Sequence, residues 1–170
     1  MTIPVAGKAA SGVEVVLPNG SKVPDEKSPT GWLMAPTADL RSVALAGRNA
    51  GILFKEIEND PDIEGASWTF IGRLGVDLGH GGKFDYQRQG NFFTGYSHFR
   101  QFADVSNFNV VLYCQQAGLS FDETLGIAGE FAKEFSSNAK FDEPYGLDSQ
   151  VSKFITRGYE AGTSGAFDQK

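Results

Sequence analysis

The sequence has one cysteine and two histidines in 170 residues. A lone Cys114 closes no internal disulfide and completes no structural zinc site. His80 and His98 lack the spacing of a metal-ligand motif, so no metal and no other cofactor is expected. No run of about 18 apolar residues occurs, which sets the expectation of no membrane insertion. Residues 1–12 lack a basic stretch followed by an apolar one, so export through a cleaved signal peptide is not expected. Export by a dedicated secretion system, which needs no such signal, stays open. Basic side chains are also scarce, 15 against 21 acidic, for a formal charge of −6. That balance denies the chain the global positive field on which nucleic-acid binding draws, although a local basic cleft stays possible.

What is present is enough apolar material for a core, at 41% hydrophobic and 12% aromatic residues. The length fits one domain, or one domain with a small appendage. Residues 1–30 read as an N-terminal arm: small polar residues first, then two β-prone runs flanking Pro18-Asn19-Gly20, a hairpin turn signal. Asp25 to Thr30, which carries Pro29 and several charges and follows Pro24, reads as a linker. Residues 31–170 read as a single catalytic domain.

A first helix is expected after Thr37 as N-cap, carrying Leu40, Val43, Ala44, Ala50, Leu53, Phe54 and Ile57. Residues 66–74 fit a short strand or a helical turn. Gly79 to Gly82 is a loop around His80. Val105 to Ala117 has helical spacing, with Gly118 as its C-terminal cap. Ser120-Phe121-Asp122-Glu123 is a capping box that opens the next helix. Lys140 to Leu147 is a loop, and Asp148 caps a last helix through Val151, Phe154, Ile155 and Tyr159. The fold class is therefore α+β and mostly helical. It has an N-terminal β-hairpin, an irregular middle rich in glycine and aromatics, and three C-terminal helices.

One stretch concentrates chemistry. From His80 to Phe102 the chain carries both histidines, Lys83, Arg88, Arg100 and one acid, Asp85, among seven aromatic residues. Rings stack on sugars or bases, Arg and Lys meet anions, and His or Asp moves protons. The same aromatics also serve a core, as large apolar side chains usually do. Asp85, flanked by two rings, has the surroundings of a general acid, or else of a structural acceptor. Cys114 with a histidine would suit a thiol hydrolase. Its place late in an apolar helix instead suits a small buried hydrophobe.

Three pieces, in order, resemble the bacterial polymorphic toxin type 44 family. Phe84-Asp85-Tyr86-Gln87 is similar to that family's Trp-Asp-Tyr-Lys-Gln element. Ser106-Asn107-Phe108-Asn109 is similar to its Gly-Asn-Phe-Asn helix, with Ala117-Gly118-Leu119-Ser120 leading into the next. Pro144-Tyr145-Gly146-Leu147-Asp148, with Gln150 and Arg157-Gly158, is similar to the segment that opens its last helix, with Leu147 in place of an acid. The resemblance spans about residues 38–162. It implies an antibacterial toxin carried by a secretion-system protein and neutralised by a cognate immunity protein.

The favoured expectation is hydrolysis of cell-wall peptidoglycan in the target periplasm. The general acid and base come from Asp85, His98, Asp148 and His80. Lys83, Tyr86, Gln87, Arg100, Asn107, Asn109, Tyr145 and Gln150 bind the polymer. A metal-independent ribonuclease acting in the target cytoplasm is the second expectation. A non-enzymatic module of a phage-tail-like particle is the third.

Overall fold

Val105, Ser106 and every residue from Phe108 to Cys114 are buried. A helix with no wet face must lie inside the molecule, and this one does. The computed structural model describes residues 12–60, 66–79, 81–91, 93–135 and 149–167. In chain order they form β1 (Val13–Glu14), β2 (Met34–Ala35), α1 (Arg41–Glu58), α2 (Ala66–Leu78), β3 (Arg88–Asn91) and β4 (Gly95–His98). A 3-10 turn at Arg100–Phe102 follows, then α3 (Ala103–Gln116), α4 (Phe121–Phe135) and α5 (Ser149–Thr163). The mixed, mostly helical class expected from the sequence is the observed one: 54% helix with two small two-stranded sheets. No helix among the described residues is long and apolar enough to cross a membrane.

The central helix α3 packs against α1, α5, α2 and α4. Two of these contacts are backbone-close. A Cβ at Gly47 or Gly51 of α1 would overlap the backbone of Tyr113 or Ala117 on α3, so only glycine permits the crossing. On α5, Gly158 sits against the Phe108 carbonyl and the Val111 side chain, and Gly162 against the Gln115 side chain. The α3 C-terminus is a Schellman motif, with Gly118 at φ 92°. Leu119 N–H donates to Cys114 at 3.2 Å, and Gly118 N–H donates to Gln115 at 3.0 Å. The capping box also forms: Glu123 N–H donates to Ser120 Oγ at 3.2 Å and Ser120 N–H to Glu123 Oε1 at 3.4 Å.

The hairpin turn at Pro18-Asn19-Gly20 is closed by Gly20 N–H to Leu17 O at 2.8 Å and a bridge between Val16 and Lys22. The same segment enters the core through Val15, Leu17 and Val23, and β1 pairs antiparallel with β2, Val13 opposite Ala35. The core thus crosses the boundary expected at residue 30. The expected linker is a tight turn, with Asp25 buried and Glu26 paired to Arg157 and Lys153 of α5.

Three further expectations change. The first helix starts at Arg41 rather than after Thr37, because Asp39 Oδ1 accepts the Arg41 N–H at 2.8 Å and Thr37 caps only Asp39. Residues 66–78 are helical throughout. The middle segment carries an ordered piece among its turns: β3 and β4 form an antiparallel ribbon with Arg88 opposite His98, Gln89 opposite Ser97 and Gly90 opposite Tyr96.

Candidate functional site

The loop between α2 and β3 is a chain of tight turns. Gly82 N–H donates to Gly79 O at 2.7 Å, Asp85 N–H to Gly82 O at 3.1 Å and Arg88 N–H to Asp85 O at 3.1 Å. Phe84 is its anchor. The ring is buried, its N–H donates to Asp77 O at 2.7 Å, and its carbonyl accepts from Asn109 Nδ2 at 3.2 Å. The loop turns through Gly81 at φ 76°, a conformation that disfavours any Cβ, and the Tyr96 phenol lies where that Cβ would go. The ribbon is thereby folded back onto the loop.

Between this loop and Pro36 opens a cleft of about 400 Å³, lined by Gly82, Lys83, Asp85, Tyr86, Arg88 and Gln89 besides Pro36. Three of the expected site residues, Lys83, Asp85 and Tyr86, therefore share one wall. Lys83 Nζ stands 5.1 Å from the Phe84 ring centroid. The Tyr86 phenol is pushed up to about 12 by burial and by the nearby charge of Asp39, so it is a neutral donor at physiological pH. Arg88 was visible in the sequence only as part of a basic stretch. It proves to be the partner of Asp85, with Nη1 3.2 Å from Oδ2 and 3.4 Å from Oδ1. The i,i+3 spacing across a turn was the available signal.

Asp85 is buried, with its side chain only 2% exposed, and Oδ2 also accepts the Gly81 N–H at 3.0 Å. That geometry holds a loop and a cation together, and gives the carboxylate the structural-acceptor role that the sequence offered beside that of a general acid. Asn109 also serves the loop. It lies inside α3 rather than at a helix start, is fully buried, and its Nδ2 donates to the Phe84 carbonyl. Asn107 also lies within α3 and is half-buried.

His98 and Gln87 meet at 3.2 Å, Nε2 to Oε1, on the exposed end of the ribbon. The Gln87 N–H reaches Ser106 Oγ at 3.3 Å, which ties the ribbon to α3. His98 is paired in register with Arg88 of the cleft wall but is not in the lining itself. Arg100 is exposed in the 3-10 turn. His80, Tyr145 and Asp148, and the side chain of Gln150, lie outside the described residues. The aromatics divide by depth. Phe84 and Phe102 are core, Tyr86 and Phe99 pack against it, and Tyr96 and Phe93 are 45% and 95% exposed.

No protein-family model matches the chain, and neither does any curated protein or solved structure. The chemistry of the cleft therefore rests on its own residues. Among the described residues no three His, Cys, Asp or Glu side chains gather closely enough to hold a metal ion. What the wall offers is two cations, one of them paired with the Asp85 carboxylate, a neutral phenol donor and the Gln89 amide. Such a set has the chemistry to meet an anionic or sugar-like group through charge-assisted hydrogen bonds.

Proposed function

We propose that this chain is an antibacterial effector toxin that binds and hydrolyses cell-wall peptidoglycan. The observation that carries the reading is the meeting of Lys83, Arg88 and Tyr86 in one cleft of a protein whose net charge is −6. A local cationic cleft in an acidic molecule suits a wall polymer with scattered carboxylates better than a polyanion with a charge on every unit. The motif resemblance to polymorphic toxins supplies the biological setting: a secretion-system carrier, action in the target periplasm and a cognate immunity protein. His98 is the proton-transfer group in this reading, exposed opposite Arg88 of the cleft wall with Gln87 fixing its ring. Asp85 acts through Arg88.

A second reading, a metal-independent ribonuclease, is favoured by one feature. The segment that forms the ribbon exposes Tyr96 and Phe93 as well as His98 and Arg100, rings and cations on which an RNA strand would stack and pair.

Directed expression separates them. Export to the periplasm is expected to round and lyse the host while cytoplasmic expression leaves it growing. His98→Ala is expected to cut release of soluble fragments from purified sacculi by about 100-fold with an unchanged circular dichroism spectrum. Killing from the cytoplasm with loss of RNA would establish the ribonuclease instead. Absence of harm in both compartments would remove both enzymes.

A further inference from the structure

We propose that Arg88 is the carboxylate-recognising residue of the cleft and that Asp85 is its positioning residue. The inference rests on the wall-polymer reading of the cleft and names the group of the polymer that the cleft meets.

The Asp85–Arg88 pair has a dry side and a wet side. The carboxylate side chain is 2% exposed and the guanidinium side chain 21%. Asp85 is held by Gly81 N–H and by Arg88 at once, so it cannot swing toward a ligand. Arg88 meets it through Nη1 alone, at 3.2 and 3.4 Å. Among the described residues Nε and Nη2 have no partner, so one edge of the guanidinium fork is unused on a side chain that lines the cleft. Two parallel N–H groups on that edge match the two oxygens of a carboxylate.

The cation is fixed at both ends. Its backbone N–H donates to Asp85 O at 3.1 Å, and it begins β3 in register with His98. With Lys83 on the same wall, the two cations and the Asp85 carboxylate leave one net positive charge for a monoanionic ligand group. The register also places the Arg88 and His98 side chains on one face of the ribbon, so a ligand gripped by the fork lies beside the imidazole.

Titration calorimetry with a muramoyl dipeptide tests this, with the same compound amidated at its carboxylates and a dinucleoside phosphate as the other arms. The wild type is expected to bind the free acid roughly 10- to 100-fold more tightly than the amide. Arg88→Lys, which keeps the charge and loses the fork, is expected to lose most of that selectivity with its circular dichroism unchanged. Asp85→Asn is expected to lower the selectivity while keeping an acceptor for Gly81. Equal affinity for acid and amide, selectivity retained in Arg88→Lys, or preference for the dinucleoside phosphate would each overturn the assignment. Fragment release from sacculi is read separately. Carboxylate-selective binding without release keeps the Arg88 assignment and removes the hydrolase. Release unaffected by Arg88→Lys keeps the hydrolase and removes the assignment.

Discussion

Tyr113 on α3 donates its phenolic proton to Asp77 Oδ2 on α2 at 2.8 Å, and both residues are buried. Arg73 approaches the same oxygen at 3.3 Å, and the Asp77 carbonyl accepts the Phe84 N–H that starts the site loop. One residue therefore joins the central helix to the wall of the cleft. Tyr113→Phe removes the donor and leaves the buried carboxylate with Arg73 alone. The expected loss is about 1–3 kcal/mol of stability, read as a lower urea midpoint at constant m-value. Asp77→Ala should cost more, since it strands the buried phenol and also removes the partner of Arg73.

Glycines in the helices divide into two kinds, and the division fixes the sign of an alanine substitution. Alanine favours a helix over glycine by about 1 kcal/mol. At Gly126 of α4 an added Cβ meets nothing, so Gly126→Ala should raise stability by up to that amount. At Gly47 and Gly51 the added methyl meets the backbone of α3, which cannot give way as a side chain can. Gly51→Ala should therefore destabilise by roughly 1–3 kcal/mol despite the propensity gain. Thermal unfolding of the two variants decides it, since opposite signs are required.

The elements that the sequence declared are those whose signals are local. The α3 period, Gly118, the Ser120–Glu123 box and the Pro18-Asn19-Gly20 turn each lie within a few residues of what they specify. The α2 helix was ambiguous because Trp68, Thr69, Phe70 and Ile71 favour strands, and only packing of Phe70 and Leu74 into the core decides for helix. The β3–β4 ribbon was hidden because Gly90, Gly95 and polar residues carry little β preference. The site was legible as a segment and not as roles. Nothing near position 85 announces that its carboxylate turns inward, and the Asp77–Tyr113 bond joins residues 36 apart in sequence.

Acid should weaken the tie between the N-terminal turn and α5. Arg157 donates two hydrogen bonds to Glu26, and with the added charge of Lys153 this lowers the Glu26 carboxyl from 4.5 to about 2. The folded value lies below the unfolded one. The contribution is thus complete above pH 4.5 and is lost as pH falls toward about 2. Melting temperatures of wild type and Glu26→Gln should differ at neutral pH and converge by about pH 2. Because Glu26 is 57% exposed, the gap should be modest and should shrink with added salt. A gap that persists unchanged into acid would show that the carboxylate is not the source.

Cys114 completes the separation of core from site. Its thiol is fully buried in α3, and burial pushes its pKa far up, away from the thiolate that nucleophilic attack requires. A thiol-hydrolase mechanism needs the opposite surroundings, a cation or a helix N-terminus beside the sulfur. The native protein should therefore resist an aromatic disulfide reagent for as long as it stays folded. In denaturing urea one thiol should react per chain. On the proposed function, Cys114→Ala should release fragments from sacculi as the wild type does and lose only stability, because the side chain is part of the buried core with Tyr113 and Leu112 and does not line the cleft. Rapid labelling of the native chain, or loss of activity in a folded Cys114→Ala variant, would return the sulfur to the chemistry and displace His98 from it.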